Sequence, residues 1–456
     1  MPPHFKGENK NASMKVFFVS LGCDKNLVDS EKMLGILADS GYTVTDAEEE
    51  ADVIIVNSCC FIGDAKEESI NTILEMAAWK ENGKCQALVV TGCLAERYRD
   101  EVLKEMPEVD AIVGTASYDH IADVLQEVLS GKKTKELLDV NRLPDKARLR
   151  GRLVTTGGHY AFLKIAEGCD KYCTYCVIPY VRGHYRSVPM DDLLEEARNL
   201  ADQGVSELIL VAQETTLYGV DLYGEKKLPE LLTGLAKIPG IQWIRLQYCY
   251  PEELTDELIE TIRREKKICH YLDIPIQHAD DEILRRMGRK TTREEILSRI
   301  AFLREQIPDI ALRTTLITGF PGESEEQFET LLDFVDEVEF DRLGVFPYSP
   351  EEGTVAAEMP DQVPEEVREK RRDAVMELQQ EISAEAGNRK IGTVQEVFIE
   401  GYVPGENVYI GRTYMDAPGV DGYVFVHSPE ECESGQFVQV KITGATEYDL
   451  IGDIVL

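Results

Sequence analysis

Hydrophobic positions along this chain follow two rhythms that alternate over most of its length. Between Met14 and about Gly131, short unbroken apolar runs are separated by stretches whose apolar residues recur every three or four positions. Val16–Ser20, Val53–Val56, Leu88–Val90 and Ala111–Val113 read as strands. Leu27–Asp39, Asp64–Ala78, Ala95–Glu105 and a segment from Tyr118 read as helices. Continuous apolar strands between amphipathic helices predict a parallel, doubly wound α/β sheet. The pattern fades between Gly131 and Gly158, a stretch with eight basic residues against three acidic ones, and a solvated linker is expected there.

Six further strands are predicted after it: Ala161–Ala166, Glu207–Ala212, Trp243–Tyr248, Tyr271–Ile276, Leu312–Thr318 and Leu343–Tyr348. Amphipathic helices such as Asp191–Asp202 lie between them. Six βα units predict a partial or closed barrel, with its active site at the C-terminal ends of the strands. Pro364 to Gly387 reads as one long charged helix. The glycine-punctuated runs Val394–Glu400, Val408–Arg412, Gly422–Val426 and Phe437–Ile442 then predict a small β-barrel. The expected organisation is a disordered extension at 1–13, an α/β domain at 14–130, a linker at 131–158, a βα-repeat barrel with its connecting helix at 159–387, and a β module at 388–456.

No apolar stretch reaches the roughly 18 to 20 residues of a membrane span, and Met1–Ser13 is too polar for a signal peptide, so a cytoplasmic protein is expected. The net charge of −35 disfavours generic binding to nucleic acid and favours a basic partner. The last module shares this bias, with eleven acidic and four basic residues from Asn388 onward. Eleven cysteines in a chain with no export signal are read as buried, metal-binding or catalytic rather than disulfide-bonded.

Cys23, Cys59 and Cys93 each sit just past the C-terminal end of a predicted parallel strand, the edge where open α/β sheets bind ligands. Three thiols arriving there from three strands suit one metal centre; Cys60 competes with Cys59, and Cys85 lacks that context. Cys169, Cys173 and Cys176 form C-x3-C-x2-C after the first strand of the barrel. A structural zinc site normally has four protein ligands. Here only three thiols lie together, with His184 the nearest alternative, which suits a four-iron cluster with one open iron. Cys249, Cys269 and Cys432 read as spare thiols.

The C-x3-C-x2-C spacing, with Tyr175 before the last cysteine, resembles the radical-SAM signature, whose open iron holds S-adenosylmethionine (SAM). A three-cysteine α/β domain, such a barrel and a TRAM-like β module together resemble the methylthiotransferases over the chain after Met14. The resemblance implies two [4Fe-4S] clusters, an auxiliary one on Cys23, Cys59 and Cys93 and a radical-SAM one on Cys169, Cys173 and Cys176. A glycine is more usual in that family at the place of Cys60. Leu21-Gly-Cys-Asp-Lys-Asn26, Ala212-Gln-Glu-Thr-Thr216 and Tyr271-Leu-Asp-Ile-Pro-Ile-Gln-His278 resemble the branch that modifies the β-carbon of an aspartate in small-subunit ribosomal protein S twelve. So do Leu312–Glu323 and Tyr348–Thr354. Methylthiolation of an adenosine in transfer RNA, the other branch, is the alternative.

Barrel-mouth positions give the expected SAM contacts: Gln213 and Glu214 for its amino group, Gln277, Arg313 and Thr315 for ribose or carboxylate, and backbone amides of the Gly319–Gly322 turn. Lys25 could meet a substrate carboxylate, although an ordinary surface lysine is the commoner explanation. The chemistry also requires a low-potential electron donor such as a flavodoxin or ferredoxin. Outside this family, an electron-transfer protein with two clusters and a zinc-stabilised binding protein are the competing classes.

Overall fold

A computed structural model describes residues 14–149 and 151–455. The extension expected at 1–13 lies outside the described residues, as do Arg150 and Leu456. The chain forms two compact units. The first comprises the described residues up to Thr155 together with Glu167–Asp170 and Cys176–Arg186; the second comprises Thr156–Ala166, Lys171–Tyr175 and the chain from Ser187 onward.

The first unit is built on a six-stranded parallel sheet. Its order is Thr43–Val44, Lys15–Ser20, Val53–Ser58, Ala87–Gly92, Ala111–Val113 and Thr134–Glu136. Every residue of Val53–Ser58 and Ala87–Gly92 is buried, as expected for strands covered by helices on both faces. The helix expected over Ala95–Glu105 is interrupted at Arg99 (φ 43°), giving Cys93–Tyr98 and Asp100–Glu105.

The stretch read as a linker is more ordered than its sequence implied. Thr134–Glu136 supplies the sixth strand, too short and too charged to show an apolar rhythm. Two of its basic residues tie it to buried acids of the same unit: Arg142 forks onto Asp119 at 2.7 Å through both nitrogens, and Arg152 donates from Nε to Glu31 at 2.8 Å. Arg142 and Arg152 are thus structural ties within a stretch that is otherwise largely exposed or half-buried.

In the second unit all six expected strands form one open parallel sheet. Its order is Arg342–Pro347, Ala311–Thr318, Ile268–Asp273, Trp243–Leu246, Glu207–Val211 and Tyr160–Lys164. The helix Glu365–Asn388 packs along the Arg342–Pro347 edge. The C-terminal module closes into a five-stranded barrel, its fifth strand being Leu450–Ile454. That strand escaped the sequence reading because Gly452 and Asp453 interrupt its alternation. Barrel and sheet meet through Phe398, Phe437 and Trp243, with ring centroids 4.5 to 5.7 Å apart. Fully buried Glu207 pairs with Arg245 at 2.8 Å and with Arg412 at 2.7 Å across this junction. Such pairs fix register more than they stabilise.

Candidate metal centres

Cys23, Cys59 and Cys93 stand at the ends of three adjacent strands of the first sheet. Cys23 precedes the helix Asp24–Asp39, and Cys93 opens the helix Cys93–Tyr98. Cys23 is exposed, while Cys59 and Cys93 are buried. The loops come together because two glycines let them. Gly22 (φ 87°) lies where a Cβ would sit 2.8 Å from the Cβ of Cys59. At Gly92 (φ 90°) a Cβ would sit 2.3 Å from Asn57 Oδ1 and 2.5 Å from the carbonyl of Ser58. No other residue combines that backbone conformation with such close approach.

Asn26 clamps the arrangement. Its Nδ2 donates to the carbonyls of Leu21 and Ser58, at 3.0 and 3.1 Å, just before Cys23 and Cys59. Asn57 Nδ2 in turn donates to the Asn26 carbonyl at 2.8 Å. Burial first, and then the neighbouring Cys93, push the Cys59 thiol up to about 12, with Cys23 adding a smaller push. Burial, with smaller pushes from the other two thiols, therefore makes ionising Cys59 costly without a cation.

Beside them lies buried Arg182, which sequence reasoning missed. Its Nη2 donates to Cys93 Sγ at 3.5 Å. Only its place a few residues beyond Cys176 marked it in the sequence. Cys60 is fully buried in an apolar cluster with Ile54, Val56 and Leu88 that also includes Cys93. Lys25 is no surface lysine: it is buried, with Nζ 3.0 Å from Asp24 Oδ1.

Of the second set, Cys169 and Cys176 belong to the first unit and Cys173 to the second. Cys169 N–H donates to the Gly183 carbonyl at 3.1 Å, and Ile178 N–H donates to Cys176 Sγ at 3.5 Å. Gly168 (φ 79°) runs so close to the His184 carbonyl that a Cβ would lie 2.1 Å from it. His184 Nδ1 is within 2.7 Å of Asp170 Oδ1, which commits that ring nitrogen to a carboxylate. In the second unit, Thr174 is fastened through its N–H to Met287 and its hydroxyl to Arg286, at 2.9 and 2.8 Å. Cys173 beside it is buried.

Among the described residues, no three His, Cys, Asp or Glu side chains are gathered tightly enough to grip a single metal ion. A four-iron cluster makes a different demand, since each thiolate binds its own iron and the ligands spread around the cube. Three soft sulfur donors, partial burial and a cationic neighbour fit such a group at the first set. The second set offers the same three soft sulfur donors, with one N–H directed at Cys176 Sγ.

At the C-terminal ends of the second sheet, Gln213 and Glu214 follow Glu207–Val211 as expected. Glu214 is fully buried. Its Oε1 accepts from Thr216 N–H at 2.9 Å, while Oε2 accepts no hydrogen bond and lies 3.7 Å from Lys171 Nζ. Burial raises its carboxyl to about 8, opposed by Thr216 and Lys171. Gln277 has φ 73°; its N–H donates to Thr315 at 2.9 Å and its carbonyl accepts from Ile317 at 2.8 Å.

Arg313 is tied to Asp273 at 2.9 Å and Asp421 at 3.2 Å, and also donates to Thr315 Oγ1 at 3.3 Å. The amide of Gly319 donates to Glu323 Oε2 at 2.9 Å, and that of Gly322 to the Asp361 carbonyl at 2.8 Å. These turn amides are therefore already used inside the fold. A residue the sequence reading passed over is Arg289, buried over the Tyr250 ring at 4.2 Å, with Nε and Nη1 accepted by nothing among the described residues.

Comparison with known proteins supplies the class. Residues 15–114 match "Uncharacterized protein family UPF0004", residues 163–335 match the "Radical SAM superfamily", and residues 391–455 match the "TRAM domain". The radical SAM methyltransferase TsrM from Kitasatospora setae, solved with cobalamin and a [4Fe-4S] cluster, shares the fold at TM-score 0.54 and 13% identity, over 85% of this chain and 80% of that one. This is a radical-SAM enzyme, and with that class come SAM and a [4Fe-4S] cluster.

More particularly, the chain belongs to the family of ribosomal protein uS12 methylthiotransferases, RimO. It is 60% identical over 439 residues to the RimO of Lachnoclostridium phytofermentans, covering 96% of this chain and 99% of that one. It is 52% identical to that of Acetivibrio thermocellus, covering 97% and 98%, and 51% identical to that of Clostridioides difficile, covering 97% and 99%.

Proposed function

We propose that the chain replaces a hydrogen on the β-carbon of an aspartate in ribosomal protein uS12 with a methylthio group. The observation that carries this is 60% identity, over nearly the whole of both chains, to a protein named as a ribosomal protein uS12 methylthiotransferase. The RNA branch is not favoured: the relatives above carry the uS12 name, and the terminal module is acidic where an RNA-binding module is basic.

Cys169, Cys173 and Cys176 would hold the radical-SAM cluster, and Cys23, Cys59 and Cys93 a second, auxiliary cluster. When bound, the first supplies the electron that opens SAM to a 5′-deoxyadenosyl radical able to break an unactivated C–H bond, and the second supplies sulfur. No side chain in the fold can remove such a hydrogen as a base, so the residues bind, orient and exclude water. Oε2 of Glu214, which accepts no hydrogen bond and lies 3.7 Å from Lys171 Nζ, would accept the SAM ammonium, with Gln213 beside it. The backbone of Gln277 is held on both sides, and its side-chain amide would meet the ligand. Thr315, with Arg313 locked to two carboxylates, and the braced turn at Gly319 and Gly322 give the mouth its fixed shape.

A flavodoxin- or ferredoxin-type donor would supply electrons, and a reducing cytoplasm would keep all eleven cysteines free of disulfides, as they are here. No helix among the described residues is long and apolar enough to cross a membrane. The domain limits that go with this reading are 14–130, 159–387 and 388–456, with 131–158 as the connection.

The test is anaerobic incubation of reconstituted protein with SAM, reductant and sulfide, with uS12 and unmodified transfer RNA in separate tubes, read by mass spectrometry. One methylthio group on a uS12 aspartate is expected. The same group on adenosine, with uS12 unchanged, overturns the substrate.

A further inference from the structure

The short helix Ile178–Arg182 carries hydrogen-bond donors for two different sulfurs. At its first residue the Ile178 N–H meets Cys176 Sγ; at its last, Arg182 reaches Cys93 Sγ. Arg182 is 2% exposed and spends its fork on two kinds of partner. Nη2 serves Cys93 Sγ at 3.5 Å and Asn26 Oδ1, whereas Nη1 serves Asp29 Oδ2 at 2.8 Å and Glu167 Oε2 at 3.2 Å. Asp29 and Glu167 are themselves buried. An arginine serving only as a salt-bridge partner for those carboxylates would need no sulfur contact. This one stands between the thiol and both negative charges.

We infer that Arg182 is a positioning residue for the group held by Cys23, Cys59 and Cys93, and that it raises that group's reduction potential. The inference rests on the proposed auxiliary cluster. Adding an electron to an iron–sulfur cluster adds negative charge. An N–H···S bond draws charge from the ligating sulfur and favours the reduced form. A buried guanidinium acts in the same direction through the weakly screened interior, while Asp29 and Glu167 act against it. The planar fork matters, because it lets one cation face sulfur and carboxylate at once, which a lysine ammonium cannot do with the same geometry.

The experiment uses the full-length chain with Cys169, Cys173 and Cys176 replaced by Ala, reconstituted anaerobically so that the first set alone holds iron. Its midpoint is read by EPR during a redox titration, with circular dichroism to check folding. Arg182→Gln is expected to lower the reduced-to-oxidised ratio about tenfold at the parent's midpoint, about 59 mV for one electron. Asp29→Asn, which keeps an acceptor for Arg182 and removes a charge, is expected to shift the midpoint the opposite way. If Arg182→Gln does not fold, the Asp29→Asn shift decides alone. Intact cluster signals with midpoints unmoved, or with Asp29→Asn shifting negative, overturn the role of Arg182 and leave the auxiliary cluster standing. Failure of the parent triple variant to take up iron while it remains folded overturns both.

Discussion

Cys169, Cys173 and Cys176 are set close together by a single loop, whereas Cys23, Cys59 and Cys93 are delivered by three strands separated by long stretches of chain. In the first case the spacing is covalent, and the surrounding hydrogen bonds need only hold a loop in place. In the second, convergence depends on residues outside the proposed ligand set: Gly22, Gly92, Asn26 and Asn57. A local site can be damaged mainly at its ligands; a site assembled by topology can also be lost through its supports.

The largest expected effect separates the two sets by function. Cys173→Ala should reduce SAM cleavage to background, measured as 5′-deoxyadenosine release, whereas Cys93→Ala should keep cleavage and lose methylthio transfer. Loss of both activities in both folded variants breaks the division of labour. Next comes Gly92→Ala, which adds a Cβ 2.3 Å from Asn57 Oδ1 at a left-handed backbone position. Strain of about 1–3 kcal/mol is expected before the clash is relieved. Urea unfolding should show that loss, and reconstituted protein should lose about half its iron.

Asn26→Ala comes third. It leaves the buried carbonyl of Ser58 without that donor, at a cost of about 1–3 kcal/mol, and should lower iron occupancy without touching a ligand.

Away from both sets, Glu214 gives a smaller, pH-dependent signal. Its folded carboxyl, raised to about 8 from 4.5, holds a proton that the unfolded chain has already released. Between those values the folded state binds more protons, so stability should fall as pH rises, with a slope of at most about 1.4 kcal/mol per pH unit. Glu214→Gln should flatten that slope in unfolding measurements from pH 5 to 8. Last, Cys432→Ser should change neither iron content nor transfer, because this partly exposed thiol hydrogen-bonds to Ser428 and the Glu430 carbonyl and packs at the edge of the small barrel's core.

The same contrast explains what could be read from sequence. Both the strand-end positions of the three distant cysteines and the six strands of the second sheet follow from apolar runs and are seen in the structure. Thr134–Glu136 escaped because a short edge strand carries no rhythm, and Leu450–Ile454 because glycine and aspartate break one. The roles of Arg182 and Asn26 were hard to read for another reason: Cys93 and the Ser58 carbonyl, which they meet, lie far away in sequence. The acidic bias of the last module also misled in part. The side chains of Asp416 and Asp421 are buried against Arg342 and Arg313, so some of the charge read as favouring a basic partner faces inward.

The most direct measurement is iron content with Mössbauer spectroscopy on two full-length variants, one lacking Cys23, Cys59 and Cys93 and the other lacking Cys169, Cys173 and Cys176. Each should retain about half the iron of the unaltered protein, as a [4Fe-4S] cluster. If one folded variant keeps all the iron and the other has none, a single set holds the metal, and the proposal of two independently built centres is wrong.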